Sequence, residues 1–156
     1  MANTDVTLGN SRKVVLSNQE RAQGFTHKYT VKYTDIDEGT GSSDPVTVAL
    51  GSTPTDFVIT KAAVNVTTAF AGTGALAIEV GTDGDPNNFI TSTSVTAVGP
   101  IITGAGAAPT TLAGTFAAAS DALEALFTNS SSGSPSALTA GELDIYLAMH
   151  SLNDVG

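Results

Sequence analysis

The residues best suited to metal chemistry lie in the stretch GTDGDPNNF, Gly81–Phe89, where carboxylate and amide side chains recur at every second position. Asp83, Asp85 and Asn87 have the spacing with which a calcium loop begins. Such a loop also needs a carboxylate at its twelfth position, and counting from Asp83 that position is Ser94. The flanking residues have strand-like rather than helical patterns, and Gly, Asp, Asn and Pro are turn formers. The stretch therefore predicts a tight turn between two strands, with a weak calcium site at Asp83 and Asp85 as the alternative.

Few other residues offer catalytic chemistry. The chain has no cysteine, two histidines (His27 and His150) and no Gly-x-Ser-x-Gly motif. Nothing in the sequence marks as buried the glutamates that a glycosidase mechanism could use, which are Glu79, Glu124 and Glu142. The glycines between positions 100 and 109 have no lysine nearby, so they do not form a phosphate-binding motif. We predict that the protein is not an enzyme, has no cofactor and needs no metal.

Charge is distributed unevenly along the chain. The net charge is −9, and no basic residue follows Lys61, whereas the first 32 positions contain five, which are Arg12, Lys13, Arg21, Lys28 and Lys32. A net negative charge argues against nucleic acid as a partner, because phosphate contacts require Lys and Arg. Two interpretations stay open: an ordinary acidic protein, or a basic N-terminal arm that docks on an acidic partner. The polar start and the lack of a long apolar run predict neither a secretory signal nor a membrane span.

Alternating apolar and polar residues dominate from Phe25 onward, which is the pattern of half-buried strands. The last strand is the clearest example, because Leu143, Ile145 and Leu147 alternate with Asp144 and Tyr146. The first set should face the core, and the polar set should face solvent and tolerate substitution. Residues 112–127 fit either a helix or a strand, and their strand-like neighbours favour a strand.

About eight such strands with turn signals between them predict an all-β protein, a single-domain β-sandwich or jelly roll. The sandwich should cover residues 25–156. Residues 1–24 are polar apart from one apolar patch and are predicted to form an N-terminal arm or a loosely held edge segment.

Two segments carry a resemblance to a known group of proteins. The run VNVTTAFAGTGALAIEVGTDGDPNNFI and the later run LTAGELDIYLAMHSL resemble small structural proteins of tailed bacteriophages. The matching residues are Gly81, Asp83, Asp85, Pro86 and Phe89, followed by residues 138–142, and the two runs together make 42 of the 156 residues.

The resemblance implies a capsid cement, or decoration, protein: a homotrimer on the capsid surface of the virion, assembled in the host cytoplasm, that binds the major capsid protein. The alternatives are another virion β-protein, such as a head fibre base or tail component with a receptor-binding face, and a carbohydrate-binding module. The lack of Trp weighs against the last. The arm should supply the partner-binding residues, which are Arg12, Lys13, Val14, Val15, Leu16 and Arg21.

Overall fold

The computed structural model describes residues 4–7, 16–36, 45–52, 57–72, 75–101, 122–129 and 137–151. These residues form two short helices and nine strands. The helices are α1 (Asn18–Ala22) and α2 (Tyr33–Ile36). The strands are β1 (Thr4–Thr7), β2 (His27–Lys32), β3 (Val46–Ser52), β4 (Phe57–Ala71), β5 (Leu76–Thr82), β6 (Asp85–Ser94), β7 (Gly99–Ile101), β8 (Ala122–Asn129) and β9 (Ala140–Ser151). Neither helix is long and apolar enough to cross a membrane.

The strands form two sheets. One has the order β1-β3-β8-β5-β6 and the other the order β2-β9-β4-β7. All neighbouring strands are antiparallel except β1 and β3, which pair in parallel from Thr4 opposite Val46 to Thr7 opposite Ala49. Strands β4 and β9 form the longest ladder, which joins Phe57 to Ser151 at one end. The all-β prediction is therefore confirmed.

One apolar core lies between the two sheets. Both sheets contribute fully buried side chains to it: Val48, Ile78, Leu123, Phe127, Val31, Val66, Leu143, Ile145 and Leu147. The inward face predicted from alternation is confirmed in β9, and buried residues also alternate along β8 and the first part of β5. The ambiguous region is a strand over Ala122–Asn129, and its other residues lie outside the described ranges.

The predicted turn at residues 81–89 is confirmed and is shorter than expected. Strand β5 continues to Thr82 and β6 begins at Asp85, so only Asp83 and Gly84 lie between them. A Cβ atom at Gly81 would collide with the backbone oxygen of Asp85, so the hairpin closes tightly only with glycine there.

Two expectations about strand boundaries and exposure are wrong. Alternation with Tyr29 and Val31 predicts that Tyr33 continues the strand, but Tyr33 begins α2, where the Asp35 carboxylate accepts the Lys32 backbone N–H at 2.7 Å. The Thr- and Ser-rich composition of residues 90–98 predicts an exposed strand, but Ile90 and Val95 are fully buried. In β6 the two buried residues, Phe89 and Ile90, are adjacent, and Val95 lies just beyond the strand, so their burial does not follow a period of two.

Candidate functional site

Helix α1 forms because its sequence supplies its own cap. Ser17, Asn18, Gln19 and Glu20 match a capping box, in which a Ser and a Glu three residues later satisfy each other's backbone donors. The Glu20 backbone N–H donates to Ser17 Oγ at 3.2 Å, and the Ser17 N–H donates to Glu20 Oε2 at 2.7 Å. No residue of the five-residue helix is buried. The helix therefore contacts the sandwich mainly through polar side chains.

The second oxygen of Glu20 connects α1 to the sheet that contains β9. Lys28 Nζ donates to Glu20 Oε1 at 3.0 Å, and the Tyr146 hydroxyl donates to the same oxygen at 2.9 Å. Lys28 and Tyr146 are direct partners across the β2–β9 ladder, so the sheet fixes the spacing between these two donors. We refer to Glu20, Lys28, Asp144 and Tyr146 as the outer-face network.

The hydrogen bonds of the network shift the pKa values of its members. The Ser17 backbone N–H, helped by Lys28 and Tyr146, outweighs desolvation and lowers the pKa of Glu20 to about 2. Partial burial opposes the charge of Lys28, but the hydrogen bonds to Glu20 and Tyr146 and the charge of Asp144 prevail and raise its pKa. Burial and the bond to Glu20 raise the pKa of Tyr146. At neutral pH Glu20 is thus a carboxylate, Lys28 an ammonium and Tyr146 a neutral phenol.

Asp144 completes the network and corrects the prediction for this face of β9. It accepts the Thr30 hydroxyl proton at 2.6 Å through Oδ1, and Oδ2 lies 3.3 Å from Lys28 Nζ. Only 8 % of Asp144 is exposed, and Ala148 on the same face is also buried. The polar face was expected to meet solvent, but polar contacts from β2 and α1 cover part of it.

A groove lies beside α1 on the same outer face. Its volume is about 520 Å³, and its lining includes Gln19, Phe25, Asn65 and Tyr146. Lys61 Nζ lies 4.6 Å from the centre of the Phe25 ring, a cation–π contact, and donates to the Gln23 carbonyl at 3.1 Å. The groove thus combines aromatic, amide and cationic groups, and its volume lies in the range of about 300–1,000 Å³ that small-molecule sites have.

The predicted partner-binding residues are only partly described. Arg12, Lys13, Val14 and Val15 lie outside the described residues. Leu16 is 9 % exposed, and Arg21 is exposed on α1. The role of all six in binding stays a prediction, as does the domain boundary at residue 24. The described parts of the segment 1–24 contact the sandwich through β1 and α1.

The residues considered for metal binding or catalysis do not converge. Asp83 and Asp85 are exposed in the β5–β6 hairpin. Among the described residues, no group of three or more His, Asp or Glu side chains could hold a metal ion. His27 stacks on Tyr29 with ring centres 6.4 Å apart, and His150 is exposed on β9. That the protein needs no metal and is not an enzyme stays a prediction.

The sequence did contain one usable signal for the outer-face network. The Ser-x-x-Glu capping box at residues 17–20 is recognisable without a structure, and it predicts a helix start. Nothing in the spacing of Glu20, Lys28 and Tyr146 indicates that they meet, because 126 positions separate Glu20 from Tyr146. Long-range pairing of β2 with β9 creates the site.

The fold and the network define an all-β sandwich protein with a short capped helix tied to its outer face. No family model matches the chain, and no curated protein matches it. One solved structure, Aeromonas hydrophila PliG, a periplasmic lysozyme inhibitor of g-type lysozyme, is 11% identical with a TM-score of 0.37. The match covers 96% of this chain and 100% of that one, but the TM-score is too low to assign a shared fold or function.

Proposed function

We propose that the protein is a capsid cement protein of a tailed bacteriophage, which binds the major capsid protein and stabilises the shell as a homotrimer. In this role it is a structural component of the virion surface and carries out no reaction. The resemblance of residues 81–89 and 138–142 to phage structural proteins motivates the proposal.

The observation that carries the proposal is the position of the N-terminal segment on the outside of the sandwich. Its strand β1 pairs with an edge of one sheet, and its helix α1 lies on the outer face of the other. In the described part of this segment no residue of α1 is buried and Arg21 is exposed, whereas Leu16 and Phe25 are buried and hold the ends of the helix against the sandwich. A scaffold with an externally held arm is suited to bracing neighbouring subunits.

The physical basis of cementing would be multivalency. Stable interfaces bury roughly 1,200–2,000 Å² in total, and a trimer at a junction makes the second and third contacts effectively intramolecular. Individually weak contacts then hold the shell firmly. Arg12, Lys13 and Arg21 would meet acidic capsid surface, while Val14 and Val15 would supply apolar contact and the buried Leu16 would hold the segment on the sandwich.

Sedimentation with undecorated shells tests the proposal. Purified protein is mixed with shells across a salt series, the shells are sedimented, and bound copies are counted. We expect saturable binding that weakens with salt, because exposed charge pairs are screened over about 10 Å at 0.1 M ionic strength. Arg12→Glu with Arg21→Glu should weaken binding, and Glu142→Gln, which leaves the segment unchanged, should not. Absence of binding to any shell would refute the cement role.

The groove beside α1 favours a second candidate, a virion protein that binds a receptor glycan. Aromatic rings with neighbouring amides and a cation are the groups that recognise sugars by stacking and hydrogen bonding. A glycan array with the intact protein tests this function. Specific binding that Asn65→Ala abolishes, without any binding to shells, would favour the glycan-binding role over cement.

A further inference from the structure

The sheet presents a pair of hydrogen-bond donors at a fixed spacing. Lys28 and Tyr146 are cross-strand partners in β2 and β9, and both direct their donors at one carboxylate oxygen, at 3.0 and 2.9 Å. Asp144 helps to hold both donors in place. Its Oδ2 lies 3.3 Å from Lys28 Nζ and 3.4 Å from the Tyr146 hydroxyl. An ammonium and a phenol that converge on one oxygen are the donors that bind a carboxylate strongly.

The carboxylate that fills this donor pair comes from a weakly held element. Helix α1 has five residues and buries none of them. A helix of this length is not stable by itself in water, since isolated helices shorter than about 12 residues are marginal. Glu20 provides most of the polar contact between α1 and the sheet. In the described part of the chain, a further hydrogen bond joins Lys61 Nζ to the carbonyl of Gln23, the C-cap of the helix. Leu16 and Phe25, on either side, are buried and anchor the ends.

We infer that Lys28 and Tyr146 form a carboxylate-binding site that Glu20 occupies in cis, and that a carboxylate-bearing segment of a partner protein displaces α1 to reach it. The groove of about 520 Å³ beside α1 provides an approach for such a segment. Lys28 is one of only six basic residues in a chain of net charge −9, so an acidic partner has few cations to bind. The inference depends on the proposed function only for the partner's identity.

A peptide in trans tests the site without any shell. The probe is a synthetic nonapeptide with the sequence of residues 16–24, LSNQERAQG. The backbone amide chemical shifts of the full-length protein are followed by NMR as the peptide is added. Tethering gives the protein's own Glu20 an effective concentration on the order of millimolar. In the wild type, Glu20 rarely leaves Lys28 and Tyr146, so the site is rarely open to the peptide. We therefore expect the Glu20→Gln and Glu20→Ala proteins to bind the peptide at least about tenfold more tightly than the wild type. The shifted amides should be those around Lys28 and Tyr146.

Two controls distinguish recognition of the carboxylate from non-specific binding of the peptide. A peptide with Gln in place of Glu20 should bind the Glu20→Gln protein much more weakly than the Glu peptide does. Adding Tyr146→Phe to the Glu20→Gln protein should reduce its affinity for the Glu peptide. Adding Lys32→Met should not, because Lys32 pairs with Glu142 elsewhere on the sheet.

Three results would overturn the inference. They are equal affinity of wild type and variants for the peptide, equal affinity for the Glu and Gln peptides, and no binding by the variants at several millimolar peptide. Unfolding of both Glu20 variants would also overturn it, because α1 would then be an indispensable part of the fold. A failure to bind shells in the sedimentation assay would refute cement while leaving these peptide results intact.

Discussion

Replacing Asp144 tests whether the outer face of β9 is a polar interface, as the structure has it, or the solvent-facing surface that the alternating pattern predicted. Asp144 is 8 % exposed and accepts the Thr30 hydroxyl at 2.6 Å, with Lys28 Nζ at 3.3 Å. A hydrogen bond to a charged group contributes about 1.5–3 kcal/mol, which exceeds the value of an exposed pair. Lys28 retains Glu20 when Asp144 changes, so the ammonium is not left unpaired.

The expected cost in the free energy of unfolding differs between two substitutions. Asp144→Asn keeps an acceptor for Thr30 but loses the ion pair, and we expect it to cost about 1–2 kcal/mol. Asp144→Ala loses both interactions, and we expect about 2–3 kcal/mol. Glu142→Gln is the matched control, because Glu142 lies two residues away on the same face and pairs with Lys32 at 3.6 Å in an exposed position. An exposed pair contributes roughly 0–1 kcal/mol.

Urea unfolding followed by circular dichroism measures these differences, with unchanged m-values showing that the transition remains comparable. If Asp144→Asn cost no more than Glu142→Gln, the contacts of Asp144 would be of the exposed kind. The outer-face network would then not be an ordered interface, and the site argued from it would be refuted.

Three further predictions concern the hairpin and the helix cap. Gly81→Ala should destabilise the protein by about 1–3 kcal/mol in urea unfolding, since its Cβ would overlap the Asp85 backbone, whereas Gly84→Ala has open space and should change stability little. The folded-state pKa of Glu20 lies near 2, below its ordinary value of 4.5, so its contribution is present above about pH 4.5 and is lost as pH falls towards 2. The stability difference between wild type and Glu20→Gln should therefore shrink over that window when urea unfolding is repeated at each pH. Thermal unfolding should not change between calcium and chelator, and a reproducible rise of several degrees with calcium that Asp83→Asn abolishes would contradict this expectation and support the calcium alternative.

The inward faces of the strands could be predicted from the sequence because the period of two depends only on local geometry. Leu143, Ile145 and Leu147 recur at alternate positions, and any register that buries one of them buries all three. Local residue types located the β5–β6 turn in the same way, because Asp83 and Gly84 are turn formers. Fold class therefore followed from patterns within single strands.

The outer-face network could not be predicted in this way. A polar residue at an alternate position is compatible with solvent or with a polar interface, and alternation does not distinguish the two. Asp144 meets Thr30 only because β2 pairs with β9, a contact between positions 114 apart. The burial of Ile90 and Val95 could not be predicted from alternation either, because Ile90 follows the buried Phe89 directly and Val95 is five positions further on, so they share no period of two.

The structure also changes the interpretation of the uneven charge. Of the basic residues in the described ranges, Lys28 and Lys32 pair with carboxylates, and Lys61 contacts the Phe25 ring. Arg21 is exposed on α1, next to Glu20. Among the described residues, an acidic partner therefore has two routes to positive charge: direct contact with Arg21, or displacement of Glu20 from Lys28. Two substitutions separate the routes on shell binding: Arg21→Gln weakens direct contact and leaves displacement in place, whereas Lys28→Met removes the cation that displacement needs and leaves Arg21 in place.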